Sequence, residues 1–342
     1  RASASYPFSP LDIDISLSHS TAGAEWCELG NEGGDFMLPS VVLLAGGTKG
    51  RDFVRAIVVN HEVPCTVSRV VSYPQPGVVD GFLEDIKQIC EQHSILFTET
   101  QRPGLADMES DIVFLVGWQF LTPPHPGQVV FHDSILPRFR GFCPTVCALI
   151  QGEREIGVSA LRPVAEADKG PILAVVKIPV TYPMTIHDAF EALRPCYVQA
   201  AREVVSNWSR EAGLPAGVEQ DHANATWSIW RDADDMVVDW NLSSDEIHRT
   251  VDALGTPYSG AKTSWKASDQ MVIDLVLESV EVRPDVIFEG RRSPGKVWRI
   301  ESGCPVVVCG SGMLKVLRAR DGDGNPFVVE KLRSRFLSPH HW

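Results

Sequence analysis

No apolar run in these 342 residues approaches the ~20 needed to cross a bilayer as a helix. A membrane-spanning helix is therefore not expected. The first stretch, residues 1–39, is rich in Ser, Ala, Gly and acid and lacks an apolar signal-peptide core. It reads as an extension without recognisable chemistry. Bases are scarce: 31 Lys and Arg stand against 44 Asp and Glu, a net charge of −13. Nucleic-acid binding runs on phosphate neutralisation, so a polyanion is a poor main partner. The imbalance is uneven, with 27 acids to 16 bases over 1–224 and 17 to 15 over 225–342, which leaves room for a local basic patch in the second half. The eight cysteines (27, 65, 90, 143, 147, 196, 304, 309) form no CxxC or Cys/His zinc spacing. Reduced, buried thiols in a cytoplasmic protein are expected, with no metal. A full GxGxxG is also missing: glycines 46, 47 and 50 give GGxxG, and no acid stands at a convincing second-strand end. A tight turn explains them better than a dinucleotide site. There is no internal repeat.

The chain does have ample core, at 44% hydrophobic and 22% charged residues, enough for two domains. From Ser40, "SVVLLAGGTKGRDFVRAIVVNHEVPCTVSRVVSY" reads as strand, helix, strand. "DGFLEDIKQICEQHS" places apolar residues 82, 83, 86, 89 and 90 at helical spacing, and "ILFTET" follows as a strand. "DIVFLVGWQFL" reads as a buried strand, followed by a Pro-rich turn and the strand ending in "QVVFH". The order predicts an α/β fold with a doubly wound, mostly parallel sheet, its ligands at the carboxyl ends of the strands. "EIGVSALRPV" and "GPILAVVKIPV" look like two more strands. A long helix follows, capped by Thr185, stopped at Gly213 and kinked or broken near Pro195. Residues 214–226 have linker composition. Short β-rich pieces between Gly turns then predict a smaller barrel-like second domain, giving boundaries at 40–213 and 227–337.

The informative stretch is "VVFHDSILPRFRGFCPTVCALIQGE", residues 129–153. His132 ends a strand where an open sheet leaves its crevice, and on position alone it could equally be a core histidine. Asp133 and Ser134 could be turn formers. A second cluster, "EADKGPIL", puts Asp168 at the end of one extended segment and Gly170 and Pro171 at the start of the next. A carboxylate there could meet the imidazole as base and orienter.

These two segments, "HDSILPRFRGFCPTVCALIQGEREIGVSA" and "ADKGPILAVVKIPV", resemble the folate-dependent formyltransferases, with their His-x-Ser-Leu-Leu-Pro loop and later Asp-x-Gly. The similarity spans about 41–336, and "VDWNLSSDEIHRTVDALGTPYSGAKT" resembles the carboxyl-terminal OB-like domain of the transfer-RNA and sugar enzymes. The resemblance implies a co-substrate, N10-formyltetrahydrofolate, and roles for named residues. His132 would polarise the formyl group, and Asp168 would orient the imidazole and help take the proton of the attacking amine. Ser134 and the 135–141 loop would shape the site. Trp118, Gln119, Phe120 and Leu121 would line a pterin slot, with Gly170 beside it, and Arg138 and Arg140 are placed to meet an anionic acceptor.

One departure stands out. Where the family has Asn two residues before the His, this chain has Val130. Losing one oxyanion donor typically costs on the order of a hundred to a thousandfold in rate. Another donor could substitute, the acyl chemistry could differ, or the chain could bind folate or a nucleotide without turnover. Gln128, on the same strand face, is the candidate substitute. The acidic balance favours a small amine acceptor, such as an amino-sugar nucleotide or a specialised-metabolite amine, over transfer RNA, which stays open. Homodimerisation is also open. "EGRRSPGKVWR" could serve a pyrophosphate or an RNA, or be solvated surface, and aromatics 227, 230, 240, 258 and 265 could stack on a base or pack in the core.

Overall fold

The computed structural model describes residues 37–74, 81–267, 272–329 and 332–338. The expectation of an extension over 1–39 therefore falls almost wholly outside the described residues. From Leu38 onward the chain forms one unit built on two sheets.

The first sheet has seven strands in the order β3-β2-β1-β4-β5-β7-β8. Its parallel half comprises β1 (Ser40–Ala45), β2 (Thr66–Ser72), β3 (Leu96–Glu99), β4 (Ile112–Val116) and β5 (Gln128–His132). β7 (Glu155–Leu161) and β8 (Ile172–Pro179) add to it antiparallel, so the sheet is mixed. β1 and β4 are buried along almost their whole length, which is why they read as unbroken apolar runs rather than alternating ones. The strand expected over 111–121 stops at Val116, where Gly117 turns into the left-handed region at φ +62°.

Side chains alternate between the two faces. Val41, Leu43, Ala45, Val129 and Phe131 join a large core with α1 (Gly47–Val54), α2 (Phe82–Gln92) and α4 (Ile186–Ser206). Val42, Leu44, Val113 and Leu115 turn the other way and cluster with Met108, Trp118 and Val130. α2 buries Phe82, Ile86, Ile89 and Cys90, and Glu84 and Asp85 in its first turn face the positive end of its dipole.

α4 starts as its sequence indicates, with Thr185 Oγ1 accepting from Asp188 N at 3.2 Å. It runs unbroken through Pro195 and ends at Ser206 rather than at Gly213. Gly213 instead closes a turn, exchanging backbone hydrogen bonds with Ser209. The 214–226 segment is no free linker, since Val218 and Ile172 exchange backbone hydrogen bonds at 2.8 Å each.

α3 (Pro144–Gln151) has Pro at its first position and Gly152 at φ +74° after its last, the expected asymmetry of a short helix. α5 (Ser244–Ala253) opens with a Ser243–Glu246 capping box, and Arg249 Nε donates to Ile150 O at 3.0 Å, tying α5 to α3. A two-stranded parallel ribbon joins β6 (Arg140–Gly141) to β9 (Trp227–Ser228).

The second sheet is antiparallel, in the order β12-β13-β14-β11-β10-β15. Its strands are β10 (Ala261–Ala267), β11 (Val272–Arg283), β12 (Val297–Glu301), β13 (Cys304–Val308), β14 (Met313–Asp321) and β15 (Ser334–Leu337). Register shifts at Leu277–Val280 curl it. Its edges nearly meet, with Phe336 N donating to Gly295 O at 2.7 Å, which produces the barrel-like form. Trp240 fills its interior, with Nε1 donating to Thr263 Oγ1 at 3.0 Å.

The glycines of "AGGTKG" owe their presence to a close approach of backbones. Gly46 N donates to Val116 O at 2.9 Å, and a Cβ on Gly46 would sit 2.3 Å from Gly117 O. The turn after β1 thus lies flat on the turn after β4, where the strand order reverses. Gly46→Ala is expected to destabilise the protein by about 1–3 kcal/mol through overpacking, read as a fall of several degrees in Tm. An unchanged Tm would show that this contact relaxes freely.

Candidate functional site

His132 closes β5 opposite Ser159 of β7 and is 8% exposed. Its Nε2 lies 2.8 Å from Phe139 O. A carbonyl oxygen can only accept, so Nε2 carries a proton. Nδ1 lies 3.6 Å from Asp168 Oδ1, an ion-pair distance too long for a hydrogen bond. The two residues, 36 positions apart in the sequence, are thus brought together, leaving Nδ1 as the nitrogen able to gain or lose a proton. Asp168 sits between β7 and β8 in the left-handed region at φ +57°, with Oδ2 accepting from Gly141 N at 2.8 Å.

Ser134 is buried, and its hydroxyl has no hydrogen-bond partner. Its main chain is held firmly. Ser134 N donates to His132 O at 2.8 Å, and Ser134 O accepts from Ser159 Oγ at 2.7 Å. Ser159 Oγ also accepts from Leu136 N at 3.1 Å, so one buried serine of β7 pins the loop after β5. Nothing in the "EIGVSAL" strand pattern marked that serine.

Gln128 has its side-chain amide bonded within the protein. Its Nε2 donates to Thr122 Oγ1 and Pro123 O, both at 2.8 Å, and its Oε1 accepts from His125 N at 3.3 Å. Both amide hydrogens are spent on the Pro-rich turn. Val130 packs into the apolar cluster on the His132 side of the sheet.

Trp118 belongs to the same cluster, with its Nε1 buried and without a partner. Tyr73, Trp118 and Phe120 stack edge to face, at 5.0 Å for Tyr73–Trp118 and 4.9 Å for Tyr73–Phe120. Gln119 and Leu121 are exposed. The strand end thus offers aromatic faces and an unused donor. Gly170 is buried. A Cβ there would fall 1.7 Å from Arg162 O, so the glycine serves packing.

Both arginines have partners within the protein. Arg138 is held by Glu153, with Nη1 2.7 Å from Oε2, at the surface. Arg140 is 1% exposed. Its Nε and Nη2 donate to Gln220 Oε1 at 3.1 and 2.6 Å, Nη2 lies 2.9 Å from His222 Nδ1, and the guanidinium is 5.9 Å from the Trp227 ring. Trp227 and Trp230 are each 61% exposed, whereas Trp240 and Trp265 are core residues.

Asp133 follows His132 yet points to the other face of the sheet, as strand alternation requires. It is hydrogen-bonded by Tyr197 of α4 and ion-paired with Lys49 of α1, and Lys49 also lies 4.4 Å from the Phe190 ring. Burial pushes the Asp133 carboxyl up to about 7. Burial lowers the Lys49 ammonium to about 8, opposed by the charge of Cys143. The pair links α1, α4 and the end of β5, and no motif announced it. Among the described residues, no group of three or more His, Cys, Asp or Glu side chains could hold a metal ion. No helix there is long and apolar enough to cross a membrane.

Comparison with known proteins bears on this geometry. A family described as formyl transferase matches residues 95–205, and one described as formyl transferase, C-terminal domain, matches 232–336. A methionyl-tRNA formyltransferase of Ectopseudomonas mendocina is 26% identical over 263 residues, which is 72% of this chain and 79% of that protein. Among solved structures, WlaRD, a sugar 3N-formyl transferase crystallised with dTDP and 5-N-formyl-THF, superposes with a TM-score of 0.58 at 12% identity, covering 86% of this chain and 99% of that one. HypX from Aquifex aeolicus in complex with tetrahydrofolic acid gives 0.51 at 17% identity over 85% of this chain. The chain spans about half of HypX, 46% of its length.

The buried Asp133 predicts a pH signature. Its carboxyl rises from 3.8 to about 7, so between those values the folded state binds more protons than the unfolded one and stability falls as pH rises. Asp133→Asn removes that component. The loss of Tm between pH 5 and pH 7 should be smaller in the variant than in the parent, and parallel melting curves would show instead that the carboxyl is already ionised at pH 5.

Proposed function

The chain belongs to the formyltransferase family, and from that premise we propose that it moves a formyl group from N10-formyltetrahydrofolate to the amine of a small acceptor, such as an amino sugar on a nucleotide carrier. The observation that carries this reading is the meeting of His132 Nδ1 and Asp168 Oδ1 at the carboxyl end of β5. The aromatic edge of Tyr73, Trp118 and Phe120, with the unpartnered Trp118 Nε1, fits a flat heteroaromatic donor rich in acceptor atoms.

When bound, the donor supplies an electrophilic formyl carbon. The acceptor nitrogen forms a bond to that carbon, the bond from carbon to N10 breaks, and one proton moves from the amine to N10. Phe139 O keeps the Nε2 proton in place, so His132 Nδ1 takes the amine proton and returns it to the departing nitrogen. Asp168 stabilises the imidazolium while it exists. Val130 donates nothing to the developing oxyanion. The Ser134 hydroxyl, buried and without a partner, is the donor that this reading assigns in its place.

Charge supports a small acceptor. Of the basic residues in 291–299, Arg292 donates to Cys309 O and Gly312 O, each at 2.6 Å, and pairs with Asp285. Arg299 pairs with Glu301. Both are committed within the protein rather than free for a phosphate backbone. Exposed Trp227 and Trp230 offer stacking faces for a nucleobase near the site. A second reading, methionyl-tRNA as acceptor, is favoured by the similarity to the Ectopseudomonas enzyme.

Incubation with N10-formyltetrahydrofolate and a panel of amino-sugar nucleotides, amines and methionyl-tRNA, followed by mass spectrometry, should show the gain of one formyl group on a small amine. Formylation of methionyl-tRNA alone would transfer the assignment to the second reading, and no gain on any acceptor would remove the activity. Asp168→Asn should abolish the transfer. Ser134→Ala should lower kcat by roughly a hundred to a thousandfold; a rate within twofold of the parent would exclude the serine as the oxyanion donor.

A further inference from the structure

We propose that Gln220 is a positioning residue of the reaction centre, holding the His132–Asp168 pair in register from the segment that leads into the second sheet. The proposal rests on the reading of His132 and Asp168 as the reacting pair and extends it to a residue that touches neither side chain.

Gln220 is 6% exposed and lies in a stretch whose composition suggests only a connection. Its amide is saturated. Nε2 donates to Asp168 O at 2.8 Å and to Gly170 O at 2.7 Å, while Oε1 accepts from both Nε and Nη2 of Arg140. An amide has two donor hydrogens and two acceptor lone pairs, and all four are used. Each partner bears on the site. Asp168 has a left-handed backbone, at φ +57°, which Asp tolerates better than most side-chain-bearing residues but which still favours a held turn. Gln220 ties down the carbonyls on both sides of Lys169, fixing that turn. Arg140 lies between Phe139, whose carbonyl accepts from His132 Nε2, and Gly141, whose N–H holds the Asp168 carboxylate. One side chain thus joins the two backbone segments that orient the two reacting groups. The segment carrying it is itself anchored by the backbone pair of Val218 and Ile172.

Among the described residues, Gln220 is the side chain that hydrogen-bonds both the Asp168 turn and Arg140. Removing its donors takes this partner from the half-buried Asp168 carbonyl and the buried Gly170 carbonyl and frees the turn to relax out of the left-handed conformation. The carboxylate then shifts relative to Nδ1. A displacement of about 1 Å in a reacting group can cost on the order of a hundredfold in rate.

The test compares Gln220→Glu with Gln220→Met. Glutamate keeps an acceptor for Arg140, and so protects the fold, but cannot donate to Asp168 O or Gly170 O. Methionine keeps the approximate volume and makes neither set of bonds. Three quantities are measured: Tm, the split of kcat and KM for formyl transfer, and the ring-nitrogen NMR signals of His132, assigned with a His132→Gln control. For Gln220→Glu we expect kcat to fall roughly ten- to a hundredfold, with KM for the folate donor within about threefold and Tm below the parent but above that of Gln220→Met, because only the bonds to the two carbonyls are lost. The His132 ring signals should move as its proton redistributes between the two nitrogens. Gln220→Met should repeat the kcat and NMR changes at a lower Tm. Unmoved ring signals and a parental kcat in Gln220→Glu would overturn the proposal, as would a kcat loss no larger than the loss of folded protein. If the parent formylates nothing while the ring signals still move in Gln220→Glu, the positioning role stands and the activity reading falls. If the parent is active and the signals do not move, the reverse holds.

Discussion

The carbonyl of Phe139 occupies one nitrogen of a buried imidazole, and the chemistry available at the end of β5 depends on that hydrogen bond. With Nε2 committed, the nitrogen left open is Nδ1, and it faces Asp168. The carbonyl must be held for this to work. Phe139 N donates to Thr226 Oγ1 at 2.9 Å, Arg140 pairs with Trp227 across the β6–β9 ribbon, and Gly141 comes so close to Ser228 O that a Cβ would lie 2.4 Å from it. The orientation of a residue on the first sheet is therefore set by residues 226–228, which lead toward the second. The two sheets are joined beside the His132–Asp168 pair as well as by chain continuity.

His132 and Asp133 show how one strand end serves two purposes. Period-two alternation sends the imidazole to the face with Val130 and Trp118, and the carboxyl to the face covered by α1 and α4. A buried ion pair is a poor source of net stability, because desolvation offsets most of the attraction. Its value here is geometric: Lys49 and Tyr197 can reach Asp133 together only when both helices sit in one register against β5. The turn after β1, pressed onto Gly117 through Gly46, adds a second constraint at the same edge of the sheet.

The composition is acidic, and several arginines of the second sheet are paired. Arg283, Arg292 and Arg299 are each paired with a carboxylate of the second domain, and Arg138 with Glu153. Exposed Trp227 stands over the buried Arg140. Recognition by aromatic faces needs no excess of positive charge and is tolerant of the base presented.

Local pattern determined most of the strands, the capped start of α4 at Thr185 and the identity of the His132 and Asp168 pair. Apolar runs, alternation, turn residues and a two-part motif are all written in neighbouring positions. Residues whose roles depend on partners far along the chain were misread or unseen. Gln128 shares a strand face with His132, but only the folded Pro-rich turn consumes its amide. Arg140 lies in the site loop, but the fold buries it against Gln220, 80 positions away. Gly170 looked like a ligand contact, and the requirement for it comes from the carbonyl of Arg162. Lys49, Tyr197, Ser159 and Gln220 carried no signal, because a lone polar residue acquires meaning only from what burial sets opposite it. The sequence by itself determined which chemical groups the protein carries and the local geometry that presents them. Only the tertiary structure decided which of those groups keep a free valence, since a hydrogen bond is spent according to distance in space.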